Sequence, residues 1–129
     1  MVVCLDTDFL IDYLADRPEA AALAAVLRGP VLVSSLSVYE LLSQASGRRT
    51  AQVEALARDY AIVPVGYAVS SMAAEIQREL GATGELIPHF DSLIAATAIL
   101  ADAPLVTSDP HYDRVPPRFE LVVQHYRRA

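Results

Sequence analysis

Four short, continuous apolar runs constrain what this chain can fold into. They are residues 2–5 (Val-Val-Cys-Leu), 31–33 (Val-Leu-Val), 61–63 (Ala-Ile-Val) and 105–107 (Leu-Val-Thr). A strand with one wet face alternates apolar and polar residues. An uninterrupted run of this length belongs to a strand covered on both faces. Segments of helical character separate the runs: from the end of the first run to about residue 15, then 19–28, 37–45, 50–59, 69–80 and 88–101. Gly29-Pro30 and Pro64 punctuate the pattern, Gly81 is expected to end one helix, and Pro88 suits the first turn of the next. Residues 119–123 offer a fifth strand. Strands alternating with helices predict an α/β chain: a three-layer α/β/α sandwich around a central, mainly parallel sheet.

The length of 129 residues corresponds to a single domain spanning residues 1–129. A chain of this size buries roughly two thirds of its unfolded surface and needs no covalent staple. Its one cysteine, Cys4, cannot form an internal disulfide and reads as a small core residue. No basic residue precedes Arg17, so the start lacks the charged region of a signal peptide. The longest uncharged run, 60–74, is interrupted by Pro64 and Gly66 and is too short for a bilayer. A cytoplasmic protein with no membrane partner is expected.

All of the 10 basic side chains are arginine, which excludes every mechanism that needs a lysine, such as a P-loop or a Schiff base. The 16 acidic side chains leave a net charge of −6, the wrong sign for a general nucleic-acid coat protein. A nuclease is still compatible, because a metal site built from carboxylates subtracts charge locally.

In parallel sheets, ligands bind beyond the carboxyl ends of the strands. Asp6 follows the first run directly, and Asp109 comes two residues after the fourth. Glu40 falls in the expected first turn of the helix after the second run, and Asp91 in the first turn of the helix leading to the fourth. Each has a plain structural explanation. Asp6 can cap a helix, Ser37 and Glu40 fit a capping box, Asp91 complements a helix dipole, and Asp109-Pro110 can open a turn. Their conjunction is more informative. Two carboxylates about 4 Å apart repel by roughly 4 kcal/mol at an effective dielectric near 20. Four converging acids therefore require a cation or a shared proton, and a hard divalent ion such as Mg²⁺ or Mn²⁺ suits oxygen ligands.

The same residues carry a family resemblance. Residues 5–14 (Leu-Asp-Thr-Asp-Phe-Leu-Ile-Asp-Tyr-Leu) resemble the opening motif of PIN-domain proteins. Residues 37–42 (Ser-Val-Tyr-Glu-Leu-Leu) resemble the second, and 90–98 (Phe-Asp-Ser-Leu-Ile-Ala-Ala-Thr-Ala) the third. Residues 107–112 (Thr-Ser-Asp-Pro-His-Tyr) resemble the fourth, with Tyr112 where phenylalanine is commoner. The order holds across essentially the whole chain, and the size is similar to that of VapC-type toxins. The resemblance implies a PIN-like fold and a Mg²⁺- or Mn²⁺-dependent endoribonuclease that leaves 3′-hydroxyl and 5′-phosphate ends. It implies Asp6, Glu40, Asp91 and Asp109 as catalytic and metal-binding acids, with Thr7, Thr107 and Asp8 as helpers. The implied partners are an RNA substrate, a cognate antitoxin protein and a second copy in a homodimer. The alternative is a catalytically silent PIN-like module that binds RNA or protein; the presence of all four acids argues for activity.

Asp12 and Asp16 read as a solvated helix face, and His125 as exposed. His89 and His111 flank Asp91 and Asp109, where a histidine could act as general base or metal ligand, but they lack a ligand spacing such as His-x-x-x-His. Arg48-Arg49, Arg114 with Arg118, and Arg127-Arg128 are basic clusters suited to surface ion pairing or to RNA phosphates. Tyr13, Leu14 and Tyr39 fit either core positions or an apolar groove for an antitoxin helix. Haloacid-dehalogenase phosphatases and receiver domains share an acidic strand end, but both use a lysine that this chain lacks. A serine hydrolase is disfavoured because no Gly-x-Ser-x-Gly occurs.

Overall fold

A computed structural model describes residues 2–126 of the chain. The elements run β1 (Val3–Leu5), α1 (Thr7–Leu14), α2 (Pro18–Val26), β2 (Val31–Ser34), α3 (Ser35–Gln44), α4 (Arg48–Asp59), β3 (Ala61–Val63), α5 (Tyr67–Ala82), α6 (His89–Leu100), β4 (Leu105–Thr107) and β5 (Val123–His125). Two short 3₁₀ turns, Pro110–Arg114 and Pro117–Phe119, lie between β4 and β5.

The strands form one sheet in the order β3-β2-β1-β4-β5, and every described pairing is parallel. The α/β/α sandwich expected from the apolar runs is the observed fold. Alternation along the strands splits the core. Val3 and Leu5 of β1 and Val106 of β4 face one side, where they pack with Phe9, Leu10, Leu41 and Val53 of α1, α3 and α4. Cys4 and Leu105 face the other, against Ile76 and Leu80 of α5 and Ile94, Ala95 and Ala98 of α6. The alanines of α6 are fully buried, and their small side chains let that helix lie close to the sheet.

Several boundaries differ from the sequence reading. The fifth strand is Val123–His125, not 119–123, because Phe119 ends a 3₁₀ turn and Glu120 adopts a left-handed conformation with φ 58°. Gly81 lies inside α5, which continues to Ala82. Pro88 caps α6 from outside its first turn. Helix α3 starts at Ser35, immediately after β2, which moves Glu40 into the second turn. Gly47, with φ 55°, makes the turn into α4, a conformation costly for any residue with a Cβ. Arg127 and Arg128 lie outside the described residues. No described helix is long and apolar enough to cross a membrane.

The direction of strand addition reverses between β1 and β4. From β1 the chain adds β2 and β3 on one side, and β4 and β5 on the other. In open parallel sheets this reversal leaves a crevice at the carboxyl edge. Asp6 and Asp109 stand on its two sides.

Candidate active site

Asp6 leaves β1 and caps α1. Its Oδ1 accepts the Phe9 amide at 2.8 Å, satisfying a first-turn donor of the helix. Its Oδ2 accepts the Thr107 hydroxyl at 2.5 Å. The capping reading of Asp6 is therefore met by one oxygen, and the other is held by the residue that ends β4. Only 2% of Asp6 is exposed. Burial pushes its carboxyl up to about 7, against the lowering effect of the Thr107 and Phe9 hydrogen bonds, and the charges of Asp8 and Asp91 add to the rise.

Thr107 also accepts the Asp109 amide at 2.9 Å. Asp109 in turn accepts the His111 amide on Oδ1 at 2.8 Å and so caps the 3₁₀ turn that follows. Asp91 sits in the first turn of α6, as expected. Burial raises its carboxyl above the ordinary range; the His111 hydrogen bond lowers it and the Asp109 charge raises it. The Asp91 Oδ2 lies 3.2 Å from His111 Nδ1, and the same nitrogen lies 3.1 Å from Asp109 Oδ1. One donor atom each from Asp91, Asp109 and His111 falls within a span of 4.8 Å. Tyr112 is buried beside them, its hydroxyl 3.5 Å from Asp91 Oδ1.

Glu40 approaches from α3. Its Oε1 accepts the Thr7 hydroxyl at 2.6 Å, and Thr7 Oγ1 lies 2.9 Å from Ser37 Oγ. This corrects the capping-box reading. Ser34, not Ser37, caps α3, through the Leu36 amide at 3.1 Å. Ser37 is buried inside the helix, and Glu40 reaches outward to the start of α1. Thr7 and Thr107, weighed in the sequence as helpers, thus hold Glu40 and Asp6 respectively.

All four acids line one cleft of about 290 Å³. Asp8 joins them, while Ile11, Leu14, Val53 and Arg49 line the rest. The sequence reading misplaced two residues near it. His111, which has no ligand spacing, stands between two of the acids. Asp12, expected on a solvated face, is only 4% exposed and accepts the Tyr126 hydroxyl at 2.8 Å. The His111–Asp91 and Tyr126–Asp12 contacts join residues 20 and 114 positions apart, so no local pattern reports them. Asp16 and His89 are exposed. His125 is exposed too, with Nε2 2.9 Å from Asp113.

Of the arginine clusters, Arg49 lines the cleft and Arg48 is exposed beside it. Arg118 is engaged elsewhere: it pairs with Glu79 at 2.7 Å and lies over the Phe119 ring. Arg114 donates to the Leu86 carbonyl at 3.2 Å. Tyr39 is 61% exposed and meets Phe90 edge-to-face, whereas Tyr13 stacks in parallel on Phe9 and is half-buried with Leu14. Cys4 is fully buried and its thiol is pushed up to about 12, mainly by burial, as suits a core residue.

The donor set fits a divalent cation. The charges of Asp8 and Asp91 raise the proton affinity of Asp6, those of Asp109 and Asp8 raise that of Asp91, and the chain has no lysine to neutralise them. Hard oxygen donors, with one imidazole nitrogen, are the chemistry that such an ion accepts.

Residues 3–116 match the PIN domain model. The chain is 31% identical over 108 residues to ribonuclease VapC19 of Mycobacterium tuberculosis, covering 81% of this chain and 86% of that protein. Among solved structures, VapBC2 of Rickettsia felis, bound to a DNA fragment from its promoter, superposes with a TM-score of 0.84 at 21% identity, covering 98% of this chain and 100% of that one. VapBC-1 of nontypeable Haemophilus influenzae superposes with a TM-score of 0.80 at 20% identity, covering 97% and 98%. At those identities the two structures speak for the fold.

Proposed function

The chain belongs to the PIN-domain family, and from that premise we propose that it is a metal-dependent endoribonuclease that hydrolyses RNA phosphodiester bonds as the toxin of a type II toxin–antitoxin pair. The convergence of Asp6, Glu40, Asp91 and Asp109 on one cleft at the carboxyl edge of the sheet carries the reading. The kinship with a ribonuclease supports the substrate class.

In this reading Asp6, Asp91 and Asp109 hold Mg²⁺ or Mn²⁺, and Glu40 lines the same cleft. The ion, when bound, supplies charge neutralisation at the phosphate and a water of lowered pKa. The chain's own residues do the positioning. Thr107 fixes the Asp6 carboxylate by taking up Oδ2. Thr7 holds Oε1 of Glu40 and leaves its other oxygen to accept a proton or orient a water. Arg49 offers a planar cation to a flanking RNA phosphate within the same cleft. The apolar arm at Ile11 and Leu14 suits an amphipathic segment of an antitoxin. A homodimer in the cytoplasm completes the assignment.

The deciding experiment is cleavage of a panel of structured RNAs by the purified protein with Mg²⁺, with Mn²⁺ and with EDTA. Cleavage that needs the metal and vanishes in Asp91→Asn is the expected result. Absence of cleavage, together with absence of Mn²⁺-induced thermal stabilisation, would point instead to a silent binding module.

A further inference from the structure

We propose that His111 Nδ1 is itself a ligand of the ion held by Asp91 and Asp109, making this a mixed nitrogen–oxygen site that favours Mn²⁺ over Mg²⁺. The inference deepens the metal site of the proposed function and rests on it.

The geometry around the ring nitrogen carries the argument. Nδ1 lies 3.2 Å from Asp91 Oδ2 and 3.1 Å from Asp109 Oδ1. An imidazole nitrogen carries at most one proton, so it could serve both carboxylates only through one shared, three-centre hydrogen bond, weaker to each than a direct one. Charge-assisted N–H···O bonds are also shorter, about 2.7–2.9 Å. By contrast, neighbouring ligands held about 2.1–2.2 Å from one octahedral ion stand about 3.0–3.1 Å apart, as the geometry of such sites requires. The two separations, at the long end of the hydrogen-bond range, are also those of neighbouring ligands of one cation, and one atom each of Asp91, Asp109 and His111 falls within 4.8 Å of the others.

The local structure fixes this arrangement in advance. Asp109 caps the 3₁₀ turn through the His111 amide, so the two side chains leave one short turn at a set spacing. The imidazole is 38% exposed, which leaves Nε2–H to water, the usual partner arrangement for a metal-bound histidine. An imidazole nitrogen raises affinity for Mn²⁺ and later metals relative to Mg²⁺, which prefers oxygen donors alone. His89, exposed at the start of α6, serves as an internal control.

The test is pulsed electron paramagnetic resonance of the Mn²⁺-loaded protein, paired with Mn²⁺ and Mg²⁺ binding titrations. The expected spectrum shows coupling to one ¹⁴N nucleus, retained in His89→Gln and lost in His111→Gln. Mn²⁺ affinity in His111→Gln should fall at least about 100-fold, beyond what outer-shell changes cost, and Mg²⁺ affinity by less. Bound Mn²⁺ without nitrogen coupling, or coupling that persists in His111→Gln, overturns the ligand assignment and leaves the carboxylate site standing. Failure of the wild-type protein to bind Mn²⁺ at all overturns both.

Discussion

The Thr107 hydroxyl joins Asp6 to the end of β4: it donates to Asp6 Oδ2 at 2.5 Å across 101 positions of sequence. The same oxygen accepts the Asp109 amide at 2.9 Å. One hydroxyl therefore sets both the carboxylate at the end of β1 and the backbone that carries the acid after β4. It is fully buried, so water cannot take over either bond.

Thr107→Val keeps the shape and removes both bonds. The buried Asp6 carboxyl and the part-buried Asp109 amide lose their partner, and the expected cost is about 1–3 kcal/mol of folding stability. Urea unfolding measures it. Thr107→Ser, which restores the hydroxyl, should recover most of the loss. A valine variant as stable as wild type would show that the bond contributes nothing net.

Asp6 gives a stability signature that depends on pH. Its carboxyl rises from 3.8 to about 7 on folding, so between those values the folded chain holds a proton that the unfolded chain has released. In EDTA, stability from this group is fully present below about pH 4 and is lost as pH rises through about 7, with a slope approaching 1.4 kcal/mol per pH unit, about the energy of one pKa unit. Thermal melts across this range should show a flatter profile for Asp6→Asn. Mn²⁺ binds the ionised form and should restore wild-type stability above pH 7. Parallel profiles for the two proteins would contradict the shift.

Asp109 has two separable jobs, a cap and a charge. Asp109→Asn keeps an oxygen for the His111 amide, so melting temperature in EDTA should barely move while Mn²⁺ affinity and RNA cleavage fall at least about 100-fold, beyond what outer-shell changes cost. Asp109→Ala should lose the cap as well, at about 1 kcal/mol. Equal melting temperatures for the two variants would mean that the cap is dispensable.

Tyr126 secures the last described segment to α1, with its hydroxyl on Asp12 and its ring edge-to-face on Phe9, the centroids 5.1 Å apart. Tyr126→Phe keeps the ring contact and should cost about 1–2 kcal/mol of stability through the lost hydrogen bond. Cleavage at saturating metal should be unchanged, because Asp12 does not line the cleft. A large fall in activity with stability intact would assign this pair to the site.

The parts of the fold that were legible in the sequence are those set by local chemistry. The runs at 31–33, 61–63 and 105–107 are strands because β-branched and apolar residues without alternation suit a sheet covered on both faces. Asp6 and Asp109 were readable because a parallel sheet puts residues after its strands at one edge. Glu40 lines the cleft with the other candidate acids but stands elsewhere in its helix than its capping-box spacing with Ser37 predicts, since the helix starts at Ser35. The partner that holds Glu40 is Thr7, 33 positions away, and no local pattern encodes that choice. His111 and Asp12 escaped for the same reason. Their partners Asp91 and Tyr126 are brought near only by the tertiary packing.

The strand order also fixes when the cleft can exist during synthesis. Its first acid emerges with β1, but β1 pairs with β4 in the centre of the sheet, through Cys4 with Leu105 and Leu5 with Val106. At translation rates of roughly 5–20 residues per second, the nascent chain waits about 5–20 s after Asp6 before Asp109 is made. Throughout that interval Asp6 lacks Thr107, and the acids have no common edge on which to meet. Until β4 has been made, topology alone keeps the cleft from assembling.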